Sequence, residues 1–85
     1  MRVVVVTKEA MDYSRTVTDF LRDFTHQTGR ELEVINPETS DGISFCTAYD
    51  ILEYPTVIAL SDDGRQQNQW RGVPLPTISE VSYYA

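Results

Sequence analysis

The segment CTAYDILEYPTVIALSDDG, residues 46–64, carries the most informative pattern in this chain. Its first part has the apolar spacing of a helix end, and Pro55 separates that part from Thr56–Leu60, a run rich in β-branched residues that predicts a strand. The run DDG at 62–64 is a hairpin turn signal, so a fourth strand is predicted at Gln67–Arg71. We therefore expect a helix followed by an antiparallel hairpin in this half of the chain.

The first half of the chain has the pattern of a strand, a helix and a second strand. Val3–Val6 is a continuous β-branched run, as in a central strand that is buried on both faces. Four apolar residues then follow at helical spacing: Val17, Phe20, Leu21 and Phe24. We predict that Asp12 or Ser14 caps this helix and that Gly29 ends it. Three apolar residues predict the second strand: Leu32, Val34 and Ile35.

Two more helices complete the pattern. Ser40 or Asp41 is placed to cap the second helix. We expect four residues to lie on its inward face: Phe45, Cys46, Tyr49 and Leu52. Residues 72–76 break the chain, and Thr77 is predicted to cap a short last helix that carries Ile78 and Val81. The predicted order is β-α-β-α-β-β-α, a single α/β domain over residues 1–85 whose four-stranded mixed sheet has helices on both faces.

Composition and charge exclude several classes of protein. The net charge is −6 and the seven basic residues form no run, which argues against nucleic-acid binding. No apolar run approaches the roughly 18 residues that span a membrane, and the start lacks the pattern of a signal peptide. The single cysteine and single histidine provide neither an internal disulfide nor a zinc site. We therefore expect a soluble, cytoplasmic monomer without a metal or cofactor.

Three short motifs resemble those of the thioredoxin-like superfamily, and of glutaredoxin-type small redoxins in particular. In those proteins the first strand leads into Thr-Lys-Pro-x-Cys-x-x-Cys, whereas here Thr7 and Lys8 are followed by Met-Asp-Tyr-Ser at residues 11–14. The family pattern Ala-x-x-Tyr-x-Val-x-x-apolar-Pro-Thr ends in a cis-proline beside the active site, and it resembles Cys46 to Thr56, with Pro55 at the proline position. Trp-Arg-Gly at residues 70–72 is similar to the Trp-x-Gly of redoxins that reduce ribonucleotide reductase. The resemblance implies a thioredoxin-like fold.

The same resemblance indicates what is missing for catalysis. Met11 and Ser14 stand where both catalytic cysteines of a redoxin would be. Thiol–disulfide exchange needs a thiolate, but a thioether has no ionisable proton and an unactivated hydroxyl stays protonated. Asp12, in the predicted first turn, would offset the helix dipole by about 0.3–1 kcal/mol. We therefore predict a redox-inactive domain.

We expect the face around the former active site to bind a protein or peptide partner, with the loop before the third strand offering backbone groups to an extended segment. Eight residues form this predicted surface: Lys8, Met11, Asp12, Tyr13, Ser14, Tyr54, Pro55 and Trp70. The Gly-Gly-x-Asp segment that is usual in glutaredoxins is replaced here by Val-Pro-Leu-Pro at residues 73–76. This replacement leaves glutathione binding doubtful.

Several of these residues also have a simpler interpretation. Cys46 occupies a small-residue position of the family and is expected to be a buried structural cysteine; the alternative is a thiol–disulfide oxidoreductase that works through Cys46. Trp70 can equally pack on an edge strand, and Pro55 can simply shape its loop. We expect His26 to be solvated near the end of the first helix, and the tyrosine pair at 83–84 to pack on the last helix.

Overall fold

The computed structural model describes residues 1–85 and has the predicted order of elements. Seven elements follow one another along the chain: β1 Arg2–Val6, α1 Ser14–Thr28, β2 Glu33–Ile35, α2 Ser40–Tyr49, β3 Thr56–Leu60, β4 Gln66–Arg71 and α3 Ile78–Ser82. The strands form one sheet in the order β2-β1-β3-β4. β1 and β2 are parallel and the other two pairs are antiparallel, so the predicted mixed sheet is confirmed. None of the three helices has both the length and the apolar character needed to cross a membrane.

The core consists of two apolar layers, one on each face of the sheet. β1 and β3 lie at the centre, which explains why both carry uninterrupted apolar runs. Alternate residues of a strand point to opposite faces. One layer joins these strands to α1 and α3: Val3, Val5, Val17, Phe24, Val57, Ala59 and Val81. The other joins them to the α2 segment: Val4, Val6, Cys46, Ile51, Ile58 and Leu60. The helices therefore cover both faces, as predicted.

The start of α1 differs from the prediction, whereas its end agrees with it. Its N-cap is Tyr13, whose backbone is already helical and whose side chain makes no capping hydrogen bond. The predicted capping by Asp12 or Ser14 is therefore wrong, because Ser14 is itself the first helical residue and its hydroxyl accepts the N–H of Met11 at 2.9 Å instead. Gly29 ends the helix in the left-handed conformation, with φ 72°.

The ends of α2 also differ from the prediction. Thr39, and not Ser40 or Asp41, is its cap, because Thr39 has an extended backbone and its hydroxyl accepts the N–H of Gly42 at 3.0 Å. The helix ends at Asp50, which has a left-handed backbone. Leu52 consequently lies beyond the helix and is 83% exposed, so its predicted inward position is wrong.

The predicted cap of α3 is confirmed. The hydroxyl of Thr77 accepts the N–H of Glu80 at 3.1 Å, and the Glu80 carboxylate accepts the N–H of Thr77 at 3.1 Å. These reciprocal bonds form a capping box, which satisfies two backbone donors at the start of the helix. Val81 of this short helix packs in the layer that α3 shares with α1.

Candidate functional site

Three chain segments meet at one end of the sheet. Val6 at the end of β1 pairs with Thr56 at the start of β3, and Thr56 in turn pairs with Arg71 at the end of β4. The loop after β1, the segment before β3 and the segment after β4 are therefore neighbours. We call this region the corner and define it as residues 7–14, 54–55 and 72–73. The N–H of Gly72 donates to the carbonyl of Pro55 at 2.8 Å, which joins two of the segments.

Lys8, Tyr13 and Tyr54 form a contact group at the corner. The Nζ atom of Lys8 lies 5.1 Å from the centroid of the Tyr54 ring, a cation–π distance. The backbone N–H of Lys8 donates to the Tyr13 hydroxyl at 3.3 Å. Burial raises the pKa of the Tyr54 phenol, with smaller contributions from Cys46 and Tyr13. Three of the residues predicted for this surface are thus brought together.

Met11 and Ser14 form a tight turn in front of α1. The N–H of Ser14 donates to the Met11 carbonyl at 3.1 Å, and the Met11 side chain is 44% exposed. The Ser14 hydroxyl accepts the N–H of Met11 and donates to the Lys8 carbonyl at 3.4 Å. This hydroxyl is thus used to order the loop. The single histidine, His26, lies twelve residues further along α1, about 18 Å at the usual rise of a helix. Ser14 therefore has no histidine base beside it.

Asp12 lies at the rim of the corner. Together with Tyr13, Thr16 and Val73 it lines a shallow groove. Val73 is 58% exposed, and its position beside the turn was not predicted from the sequence. Val73 directly follows the Trp-x-Gly motif, so the sequence did contain a hint of its position. Its place next to Asp12, however, depends on the tertiary structure.

The backbone of Tyr54 is unpaired within the chain. Neither its N–H nor its carbonyl takes part in any hydrogen bond within the chain. The following peptide bond, Tyr54–Pro55, is cis, and so is Val73–Pro74. The next carbonyl, that of Pro55, is paired with Gly72. A backbone donor and a backbone acceptor on one partly buried residue thus have no partner within the chain.

Trp70 does not join the corner group. It pairs with Val57 across the sheet, and both side chains belong to the layer under α1 and α3. Its ring packs against Tyr84 in a T-shaped arrangement, with 5.6 Å between centroids. Tyr13 packs against the same layer as Trp70, whereas Tyr54 packs against the layer on the opposite face. Strand alternation therefore places Trp70 on the Tyr13 side of the sheet and away from Tyr54. Its alternative interpretation, packing on the edge strand, agrees with the structure.

Cys46 has the buried position that was expected for a structural cysteine. It lies in the layer under α2 and is only 7% exposed. It shares a groove with Tyr54, and Ile43 and Leu52 form part of the same rim. The thiol therefore lies near Tyr54 under α2, and not in the turn before α1 that contains Met11.

Comparison with known proteins supports the fold. Thioredoxin 1 from the thermophilic eubacterium Thermosipho africanus TCF52B has a similar solved structure, with a TM-score of 0.67 and 17% sequence identity. The match covers 99% of this chain and 89% of that chain. No family model and no curated protein matches the sequence. The chain therefore has a thioredoxin-like fold, as its motifs predicted.

Proposed function

We propose that this thioredoxin-fold chain is a binding domain without thiol–disulfide oxidoreductase activity, and that it holds an extended segment of a protein or peptide partner at the corner. The unpaired N–H and carbonyl of Tyr54 carry this proposal. An extended segment that lies alongside this loop can accept one hydrogen bond from Tyr54 and donate one to it, as in strand addition. Each such bond contributes about 0.5–1.5 kcal/mol net, so side-chain contacts must supply most of the affinity.

The exposed apolar side chains of the corner favour an apolar residue in the partner. Met11 and Val73 are both substantially exposed, and Val73 lines the groove next to Tyr13. Methionine and aromatic residues are enriched at protein interfaces, and methionine adapts its shape to different partners. Lys8 is the basic residue of the corner, in a chain whose net charge is −6. Because Glu9 and Asp12 lie in the same segment, an acidic group of the partner is expected only beside Lys8 itself.

The chemistry of the corner supports binding without catalysis. Met11 stands just before α1, where a redoxin has its first catalytic cysteine, and its thioether forms no thiolate. Ser14 has no histidine nearby to remove its proton, and its hydroxyl is engaged with Met11 and Lys8. Cys46, the only thiol, is buried in the layer under α2. None of these groups meets the requirements of a redox nucleophile.

A peptide-display selection on the full chain tests the proposal. Selected peptides are then titrated against wild-type protein and against Met11→Lys, which is expected to weaken binding about tenfold or more by placing a charge against an apolar contact. Tyr83→Lys is the matched control, since Tyr83 is also an exposed residue with a largely apolar side chain but follows α3 and shares no groove with the corner. Its affinity is expected to equal that of the wild type.

Backbone recognition needs a separate measurement. N-methylation of the selected peptide, one residue at a time, removes one amide donor without changing any side chain. We expect a single position to lose binding sharply, because the carbonyl of Tyr54 accepts one hydrogen bond from an extended segment. Binding that tolerates methylation everywhere, or that is equally strong with Met11→Lys, would contradict the proposal.

A further inference from the structure

A second concave surface lies between β4 and α3, and it shares no residue with the corner. It is an open pocket of about 300 Å³, which we call the aromatic pocket, and five residues line it: Asn68, Trp70, Glu80, Tyr83 and Tyr84. Asn68 and Trp70 are alternate residues of one strand and therefore lie on the same face of the sheet. Glu80 comes from α3, and the two tyrosines follow that helix.

The three aromatic rings stand at steep angles to one another. Trp70 and Tyr84 are 5.6 Å apart at 70°, and Tyr83 and Tyr84 are 5.0 Å apart at 82°. The rings therefore meet edge to face instead of stacking, and all three residues line the pocket. The amide of Asn68 donates to the Tyr84 hydroxyl at 3.4 Å, which helps to hold that ring in place.

Tyr83 has no role in the core. Its side chain is 81% exposed, although the tyrosine pair was expected to pack on the last helix. Only Tyr84 does so, in the layer that contains Val81. That prediction is therefore wrong for Tyr83, because α3 ends at Ser82 and residue 83 faces solvent at the mouth of the pocket.

Glu80 places a negative charge beside the rings. The N–H and hydroxyl of Thr77 both donate to it, and these bonds, with a smaller contribution from Trp70, hold its pKa below the usual value. Glu80 forms no ion pair, and no lysine or arginine lines the aromatic pocket. The charge is thus uncompensated by any basic side chain of the protein.

We infer that the aromatic pocket binds a compact ammonium cation, a quaternary or methylated amine. Aromatic faces attract such cations through the ring quadrupole, and a nearby carboxylate adds a direct charge interaction. A guanidinium is a poorer fit, since its fork pairs best with both oxygens of a carboxylate. Both bonds from Thr77 go to Oε1 of Glu80, so one of the two oxygens is already in use. A methylated ammonium needs no such pairing.

Choline and 3,3-dimethyl-1-butanol are the probes for this inference, because they have nearly the same shape and differ in charge. Trp70 is the only tryptophan, so its fluorescence in the full-length chain reports on the pocket directly. We expect choline to bind with a dissociation constant in the millimolar range, and the neutral alcohol to bind at least about tenfold more weakly.

Three variants separate recognition from folding. Glu80→Gln keeps the capping box, which accepts glutamine as well as glutamate, and is expected to remove most of the preference for choline. Tyr83→Ala should weaken choline binding several-fold with an unchanged circular dichroism spectrum, since Tyr83 lies outside the core. Tyr83→Phe keeps the ring and should bind like the wild type.

Three outcomes would overturn the inference. Equal binding of choline and the alcohol would identify a merely apolar pocket. Tighter binding of methylguanidinium than of choline would show that the aromatic pocket prefers a guanidinium to a methylated ammonium. No saturable change in fluorescence or in amide chemical shifts up to ~0.1 M choline would exclude cation binding at any useful affinity. None of these results bears on the corner, which has no residue in common with the aromatic pocket.

Discussion

In the centre of the sheet, the valines at positions 4, 5 and 6 are fully buried and paired on both sides by neighbouring strands. At the corner, Met11 is 44% exposed and the backbone of Tyr54 has no partner within the chain. The two regions are built on the same strands. The difference teaches that the same strands hold a fully packed core at the centre of the sheet and leave a partly exposed side chain and an unpaired backbone beyond their ends.

The strongest test of this comparison removes one large side chain from each region. Phe24→Ala is expected to lower the free energy of unfolding by about 3–5 kcal/mol, since Phe24 is fully buried in the layer under α1. Met11→Ala, its control at the corner, should change stability by no more than ~0.5 kcal/mol. Urea denaturation followed by circular dichroism measures both. A similar loss for the two variants would mean that the corner belongs to the core.

The second test introduces the cysteine pair that thiol–disulfide exchange requires. We expect no disulfide turnover by the wild-type chain in insulin-reduction or hydroxyethyl-disulfide assays. The double substitution Met11→Cys and Ser14→Cys should give a rate at least about tenfold above the background of the assay without protein, equivalent to ~1.4 kcal/mol of activation free energy. The two residues share a turn closed by a hydrogen bond, and turn ends lie within the Cα separation of a disulfide.

Two controls accompany the restored pair. Met11→Cys alone should be much less active toward insulin, since it lacks the second thiol that resolves a mixed disulfide. Turnover by the wild type that Cys46→Ser abolishes would instead show that the buried cysteine is the nucleophile, and would contradict the proposed function. A well-folded double variant without turnover would show that the corner has lost more than its two thiols.

A smaller effect is expected at the cap of α3. Thr77→Ala removes the hydroxyl that accepts the N–H of Glu80, so stability should fall by about 1 kcal/mol. Thr77→Ser keeps the acceptor and serves as the matched control. If thermal unfolding shows the same stability for all three proteins, the capping box contributes nothing and α3 is held by packing alone.

The smallest effect is expected at the sheet edge. Arg2 donates two hydrogen bonds to Glu33, at 2.8 and 2.7 Å, and this bonding is the main cause of the lowered pKa of Glu33. Both side chains are about half exposed, so the pair contributes at most ~1 kcal/mol.

The pH dependence of this pair has a definite direction. A lowered folded-state pKa stabilises the protein above the ordinary carboxyl value of 4.5, and the contribution is lost as the pH falls through the folded value. Glu33→Gln should therefore be slightly less stable than the wild type at pH 7 and equally stable well below pH 4.5. A difference that persists in acid would point to packing and not to charge.

Local patterns were sufficient for much of the fold and for part of the site. The buried strands, the apolar stripe of α1 and the capping residue Thr77 depend on neighbours a few positions away, and all were predicted correctly. The meeting of Lys8, Tyr13 and Tyr54 was also predicted, through the resemblance of short motifs. Caps were less predictable where several polar residues compete, as at Thr39 and Ser40.

The primary sequence alone thus determined the order of the elements and the absence of a catalytic cysteine pair, because β-branched runs, helical spacing and residue identity are local properties. Only the tertiary structure decided that Trp70 turns away from Tyr54 and toward Tyr84, that Leu52 lies outside α2, and that the backbone of Tyr54 is unpaired. These features depend on strand register and on where a helix stops. Both are settled by packing between segments far apart in the chain, which no local pattern records.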